Sequence, residues 1–356
     1  MVTMKDVAKA AGVSQAAVSY AYSGSPRVSA RQREQIFSVA AQLGYTGPNI
    51  AGSSLRLGRI GTVGVLVPGS LASAVEDPST TLLLKGIVEV GELADVALTL
   101  LPVDRTGITS GPSQPVQSAA LRGLVDGVVM HCLPNEHPVV EAIIARRIPA
   151  VAIDSPRLPA IPYVTVDHRQ AGAEQMKHVL ALGHRRVGIV TDRLGPAAEP
   201  GRRQFSDIEA VTETYLQQRL AGYRDAIAAG GRGGIDATLV EATDIDMSSG
   251  MLAVEQLIDG PEPPTAIVAT SDVHAVAAMK VLEQRQLSVP EQVSVIGFDD
   301  APIADLVGLT TIRQPLCDKG KTAASMLLDL IDGRSRRRSV KPTELILRSS
   351  TGPARK

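Results

Sequence analysis

From residue 60 onward, short apolar runs rich in β-branched residues alternate with longer stretches whose apolar positions recur at helical spacing. The runs lie at 60–67, 96–101, 127–130, 150–153, 187–190, 266–269 and 293–296, and a further short strand is predicted at 344–347. Between them, 82–93, 139–146, 171–181, 215–229 and 273–284 carry the spacing of a helix with one buried face. Runs without polar alternation suit strands covered on both sides, so the alternation predicts an α/β core of parallel sheets. One set of runs ends before about residue 155 and a second begins near 185, which predicts two doubly wound parallel-sheet lobes. Their expected extents are 60–155 plus about 300–315, and 156–299 plus 316–356. In that architecture a ligand binds at the strand carboxyl ends, here in the cleft between lobes.

Residues 1–46 read instead as an all-α head. Thr3 with Asp6, and Ser14 after Gly12-Val13, place capping side chains at two helix starts, and Gly12 permits the turn between them. Ala8, Ala10 and Ala11 are small enough for two helices to cross closely. On the second helix Ala17, Val18 and Ala21 share one side, while Gln15, Ala16, Ser19 and Tyr20 share the other. A third helix is predicted from Ser29 to about Leu43, opened by a capping box of Ser29 and Gln32 and packed through Ile36, Phe37, Val39, Ala40 and Leu43. This is a helix-turn-helix pattern, whose second helix offers its polar side to a DNA major groove. Residues 47–59, rich in Gly and Ser, read as a hinge to the core at 60–356.

Charge sharpens that picture. Residues 1–59 hold Lys5, Lys9, Arg27, Arg31, Arg33, Arg56 and Arg59 against Asp6 and Glu34, whereas the chain of 356 residues carries −1, so the remainder is net negative. Basic charge gathered in one small module suits phosphate neutralisation with counterion release. The basic stretch Arg334-Ser-Arg-Arg-Arg338 reads as a solvated turn before the strand at 344–347. There is no basic-apolar leader and no apolar run near 18 residues free of Gly, Pro or charge, so a cytoplasmic location without membrane contact is expected. Cys132 and Cys317 lack metal or redox spacing and are expected to be buried free thiols. His131 beside Cys132 is a single pair, too few for a tetrahedral metal, so no metal and no cofactor is expected.

Taken in order, several landmarks resemble the LacI family of bacterial transcription regulators. They are Asp6-Val-Ala-Lys-Ala-Ala-Gly-Val-Ser14 with Val18-Ser19, Leu43-Gly-Tyr45 before Pro48-Asn49, Leu182-Gly-His-Arg-Arg-Val187, Arg219-Leu-Ala-Gly-Tyr223, Pro264-Thr-Ala-Ile-Val-Ala-Thr-Ser-Asp272, Gly297-Phe-Asp-Asp300 and Leu309-Thr-Thr-Ile-Arg-Gln-Pro315. Each is weak alone; their order over almost the whole chain is specific. The resemblance implies a homodimeric repressor with a core like that of periplasmic sugar-binding proteins. Its partners would be a pseudo-palindromic double-stranded DNA operator and a small polar effector, a sugar or related molecule. The alternatives are an activator of the same family and a solute-binding protein that reads no DNA. The family's base-contacting positions fall on Gln15, Ala16 and Tyr20. Gln15 suits bidentate pairing with adenine, Ala16 an apolar contact with a thymine methyl, and Tyr20 donation to a base or phosphate. Ser14 and Ser19 suit the DNA backbone, and Thr3 completes the set on the head. The family's minor-groove leucine falls on Leu55, with Arg56 following as a minor-groove cation. An extra Gly47, with Gly52 and Ser53, weakens isolated helix formation, so this hinge is expected to fold only on DNA.

The same resemblance places effector contacts at Asp154, Arg219, Asp272 and Asp299. Carboxylates with a guanidinium suit a polyhydroxylated or charged small molecule, while Asp272 and Asp299 equally suit the capping of following helices or turns. Aromatic faces for a sugar are scarce, since the chain has no Trp and three Phe; Phe205, Phe298 and a few tyrosines can serve. Residues 193–212 read as a mobile loop over the cleft, with Phe205 either closing on ligand or simply exposed. Asp299-Asp300 with Asp272 lacks any accompanying nucleophile, phosphate loop or metal motif, so an enzyme is not expected. No heptad extension follows the core, so a dimer is expected rather than a coiled-coil tetramer. A ligand-driven change of lobe angle would either splay the hinges or bring them together, giving induction or co-repression.

Overall fold

A computed structural model describes residues 2–47, 60–90, 96–104, 122–195, 201–204, 208, 211–230, 234–260, 262–334 and 338–355. They divide into two units, Met1–Gly61 and Thr62–Lys356.

In the first unit, α1 (Met4–Ala11), α2 (Gln15–Tyr22) and α3 (Ala30–Leu43) each begin where a hydroxyl side chain meets orphan amides. Thr3 and Asp6 form a reciprocal capping box, Ser14 Oγ accepts from the Ala17 amide, and Ser29 Oγ accepts from the Gln32 amide. Gly12 closes α1 at φ 68°, a left-handed conformation that a Cβ resists, and turns the chain directly into α2. The helices pack on Val7, Ala8, Ala11, Val18, Ala21, Val28, Ile36 and Ala40. Phe37 and Leu43 were expected in this core but lie at its rim, 40% and 38% exposed. The helix turns them past the seam occupied by Ile36 and Ala40, and Phe37 settles edge-on against Tyr22 with ring centroids 4.9 Å apart.

The second unit is built on two sheets. The first contains β1 (Thr62–Pro68), β2 (Ala97–Val103), β3 (Gly127–His131), β4 (Ala150–Ile153), β5 (Tyr163–Val166) and β12 (Arg338–Lys341), all parallel, in the order β12-β5-β4-β3-β1-β2. The second contains β6 (Arg186–Thr191), β7 (Gly201–Arg203), β8 (Asp236–Glu241), β9 (Ala266–Ala269), β10 (Ser294–Asp299), β11 (Thr310–Arg313) and β13 (Glu344–Ile346). Their order is β13-β11-β10-β9-β6-β8-β7, parallel except for the two edge strands β13 and β7. The helices are α4 (Leu71–Glu76), α5 (Pro78–Val88), α6 (Pro138–Ala145), α7 (His168–Ala181), α8 (Thr214–Ala229), α9 (Met247–Ile258), α10 (Asp272–Gln284), α11 (Pro302–Leu306) and α12 (Leu316–Ile331). On the first sheet, Leu83, Ile87, Ala323 and Leu327 cover one face, and Val139, Val140 and Ile143 the other. On the second, α9 and α10 cover one face and α7 and α8 the other. The expected α/β core of two doubly wound parallel-sheet lobes is therefore the observed one.

The lobe extents differ from those expected. Residues 310–313 form β11 in the second sheet, whereas α12 packs on the first lobe and 338–341 joins the first sheet as β12. The chain thus crosses between lobes three times, from β5 to α7, from β11 to α12 and from β12 to β13. Apolar periodicity marks an element but not the sheet it joins, which is how 300–315 and 316–341 came to be exchanged. Of the stretch 193–212, only 193–195, 201–204, 208 and 211–212 are described; among these, β7 pairs with β8, and Leu194, Ile208 and Val211 are buried. Cys132 and Cys317 are half-buried free thiols rather than fully buried ones. Among the described residues no helix is long and apolar enough to cross a membrane.

Two helix pairs approach unusually closely. A Cβ at Gly222 on α8 would collide with the Arg169 carbonyl on α7, and one at Gly172 on α7 with the Arg219 carbonyl on α8. Gly86 and Gly320 bring α5 and α12 together in the same way. The first pair sets Arg219 beside the start of α7, and the second sets the first turn of α12 against the first lobe. Both contacts bear directly on the cleft.

Candidate functional site

The head presents Ser14, Gln15 and Ala16 as exposed residues at the start of α2, with Ser19 and Tyr20 half-buried behind them. Ser14 Oγ accepts from the Ala17 amide at 3.1 Å, which leaves its own proton to donate outward. Gln15 and Ala16 project from the first turn of a capped helix, where side chains reach base edges. Thr3 is exposed but committed to its cap, donating to Asp6 Oδ2 at 2.7 Å. Tyr20 accepts from Arg27 at its phenol oxygen, a pairing the sequence reading did not foresee. Leu55, Arg56 and Phe205 lie outside the described residues.

In the second unit the strand carboxyl ends of both sheets meet a polar cleft. The first lobe lines it with Val67, Pro68, Ser73, Asp77, Thr80, Cys132 and Asp154, the second with Asp192, Glu213, Tyr215, Arg219, Ser271 and Asp299. Several of these residues hold left-handed backbone conformations, with φ 51° at Cys132, 64° at Asp154 and 126° at Asp299. Such conformations cost free energy and persist where packing and hydrogen bonds over-determine them, commonly at ligand sites.

Asp154 is over-determined in this way. Its Oδ2 accepts from Lys319 Nζ at 2.5 Å, and its Oδ1 accepts from Thr165 Oγ1 at 3.0 Å and from His168 Nε2 at 2.9 Å. Burial alone would lift this carboxyl, but the Lys319 ammonium and His168 outweigh it and hold Asp154 well below the usual carboxylate range. His168 is pushed down to about 4, chiefly by burial, with Arg219 and Lys319 adding to the Asp154-opposed shift. It is therefore neutral: Nε2–H donates to Asp154, and Nδ1 accepts from Arg219 Nη2 at 3.2 Å. Arg219 also donates to the Thr270 carbonyl and lies 3.4 Å above the Phe298 ring. From the other side, Lys319 Nζ donates to Gln314 Oε1 at 2.7 Å, and Gln314 Nε2 donates to Asp299 Oδ1 at 2.6 Å. One continuous polar chain thus joins both lobes along the cleft floor.

The four predicted effector positions separate on this geometry. Arg219, Asp154 and Asp299 line the cleft, but both oxygens of Asp154 are already engaged within the protein. Burial and the neighbouring Asp272 raise the Asp299 carboxyl well above its ordinary range. Asp272 is absent from the lining. It is fully buried, accepts from Thr311 Oγ1 at 2.6 Å and from the Ala301 amide at 2.7 Å, and is raised to about 7 by burial. It braces the turn after β10, the capping role that sequence had left open. Phe298 offers no free face to a sugar, because it is fully buried, with the Arg219 guanidinium over its ring.

Asp192, Tyr215, Lys319 and His168 were missed. Asp192 follows an apolar strand run as Asp154 does, so the same strand-end rule would have found it; it accepts from Thr270 Oγ1 at 3.0 Å and from Tyr215 Oη at 3.2 Å. Lys319 gave no signal, since it stands on the buried face of an amphipathic helix where an apolar residue is expected. His131, Cys132 and Asp154 do converge within 4.8 Å, a trio the adjacent pair alone did not reveal. It suits a cation poorly: Lys319 already occupies Asp154, and burial pushes the Cys132 thiol well above its ordinary range.

Residues 3–49 match the family model described as bacterial regulatory proteins, lacI family, and residues 176–351 match a periplasmic binding protein-like domain. An HTH-type transcriptional regulator of Mycolicibacterium smegmatis is 32% identical over 99% of this chain and 96% of its own length. Among solved structures, a complex of the transcriptional regulator CelR with cellobiose is 25% identical, with TM-score 0.65 over 98% of this chain and 100% of that one. A lac repressor dimer bound to operator and an anti-inducer superposes with TM-score 0.77 over 99% of each chain; at 23% identity this is a likeness of fold.

Proposed function

The chain belongs to the lacI family of bacterial regulatory proteins and is a DNA-binding transcriptional regulator; from that premise we propose that it is a cytoplasmic, homodimeric repressor without enzymatic activity, controlled by a polyhydroxylated effector. The supporting observation is the pairing of an exposed Ser14-Gln15-Ala16 surface on a basic three-helix head with a two-lobed core whose cleft is lined by hydrogen-bonding groups from both lobes. Two heads would occupy successive major grooves of a pseudo-palindrome, with Gln15, Ala16 and Tyr20 at base edges, Thr3, Ser14 and Ser19 near the backbone, and paired Leu55 and Arg56 at the minor groove.

The cleft favours hydroxyl-rich ligands over a flat aromatic one. Asp192 supplies an acceptor, Arg219 a planar donor, Asp299 a second carboxyl, and Ser73, Thr80 and Ser271 hydroxyls. Cellobiose in the CelR complex supports a carbohydrate or related polyol. Such a ligand shifts the lobe equilibrium only by its difference in affinity between the two arrangements. A solute-binding role without DNA reading leaves the capped, basic head unexplained.

The test is selection from random duplex DNA by the purified protein at stated salt, with and without a panel of sugars, polyols, sugar acids and, as non-hydroxylated members, nucleobases such as adenine and cytosine. Enrichment of a pseudo-palindrome that one polyhydroxylated compound weakens or strengthens supports the proposal and gives the sign of control. Enrichment that responds only to non-hydroxylated compounds rejects the effector class, and failure to enrich any site rejects the DNA-reading role.

A further inference from the structure

The loop after α2 returns onto the helix it leaves. The Ser25 amide donates to the Tyr20 carbonyl at 3.1 Å, Arg33 Nη2 donates to the Ser25 carbonyl at 2.9 Å, and Val28 is buried in the head core. Arg27, between these anchors, is exposed but not randomly placed. Its Nη1 donates to Tyr20 Oη at 2.9 Å, and its guanidinium carbon lies 5.3 Å from the Tyr20 ring centroid. Among the described residues Arg27 forms no ion pair with an acid, so its charge is uncompensated within the head.

Two consequences follow from elementary hydrogen-bond chemistry. The phenol oxygen already accepts from a cation, so the group left to Tyr20 is its O–H, a donor. The guanidinium spends one of five N–H donors on the phenol and keeps the rest, in a rigid planar fork, for an anion beside it. A lysine ammonium would supply the charge without the fork. We propose that Arg27 and Tyr20 act as one reading unit: Arg27 holds Tyr20 as a donor toward an acceptor edge in the major groove, guanine O6 or N7 or thymine O4, and places its remaining donors on the adjacent phosphate. This rests on the DNA-reading role and adds to it a specificity-determining residue and the class of base edge it selects.

The experiment compares random-duplex selection and salt-dependent binding for the full chain and for Tyr20→Phe, Arg27→Ala, Arg27→Lys and the double variant Tyr20→Phe/Arg27→Ala. Tyr20→Phe is expected to relax one base-pair position per half-site roughly tenfold, within the ordinary range for a mismatched pair. Arg27→Ala is expected to relax the same position by a similar factor and to lower the salt slope by about 0.9 per head, while the double variant relaxes it no further. Arg27→Lys is expected to keep the salt slope yet still relax the position. Uniform weakening by Arg27→Ala with preference intact at the Tyr20 position overturns the proposal, as does a preferred base that presents only an amino donor there. Failure of the unaltered chain to enrich any site overturns the DNA-reading role itself, and the proposal with it. Far-UV circular dichroism of each variant, unchanged from that of the unaltered chain, keeps a loss of preference from being a loss of fold.

Discussion

Replacing Lys319 by Met removes one end of a fully buried ion pair while nearly conserving side-chain length, so the cost is electrostatic rather than that of a cavity. At the 2.5 Å separation of Lys319 Nζ and Asp154 Oδ2, and an effective dielectric near 20, the gross attraction is about 7 kcal/mol. Most of that offsets desolvation, and leaving one buried partner unpaired costs a net of about 3–5 kcal/mol. Lys319→Met is therefore expected to destabilise the core by roughly that amount, lowering Tm by about 6–10 °C for a domain of this size. Asp154→Asn should cost less, because Asn tolerates the left-handed φ of 64° and keeps one acceptor for Thr165 and His168. The double variant should recover much of the loss, giving a coupling energy of about 2–4 kcal/mol by calorimetry. Because Asp154 titrates well below its ordinary range, the pair's contribution is complete above about pH 4 and is lost only as pH falls through that lower value. The coupling should thus be equal at pH 7 and pH 5. Additive single variants, with coupling under about 0.5 kcal/mol, would refute the claim that this pair joins α12 to the cleft.

The remaining predictions concern the same framework. His168, held down to about 4 in the folded protein, stays neutral between that value and 6.5 while the unfolded chain gains a proton. Stability should therefore fall by roughly 3 kcal/mol as pH drops across that window, and denaturation curves of His168→Gln should lack this component. Gly222→Ala forces a Cβ against the Arg169 carbonyl; the expected loss is at least about 1–3 kcal/mol, read as a lower Tm, with effector response weakened before operator binding because Arg219 and His168 separate. Asp192→Asn should abolish effector response in operator-binding assays with little change in Tm, whereas Asp272→Ala should cost about 2 kcal/mol by orphaning the Ala301 amide.

Local chemistry wrote the head plainly. Thr3, Ser14 and Ser29 cap helices within three residues of themselves, and Gly12 sets the turn, so nothing distant had to be known. The strand runs at 150–153 and 266–269 were equally legible, because four buried residues in succession admit no alternation. Strand β8 was not, since Asp236, Thr238 and Glu241 interrupt its apolar residues near the edge of the sheet. Helix α12 was hidden differently: Lys319 and Gly320 stand on its buried face and break the period that would have announced it.

That break is not isolated. A lysine where packing calls for an apolar side chain, a histidine kept neutral beside a carboxylate, and aspartates at φ 64° and 126° each contradict their local rule. They are far apart in sequence, yet three crossings between the lobes bring them to one floor, where each resolves the contradiction of the next. Lys319 makes the left-handed Asp154 tolerable, Asp154 fixes the tautomer of His168, and His168 orients the Arg219 guanidinium toward the cleft. A ligand that draws on Arg219 or Asp299 therefore pulls on groups anchored in both lobes at once. Binding free energy has a short physical path to the lobe angle, and the residues along that path are the ones whose identity the neighbouring sequence could not have justified.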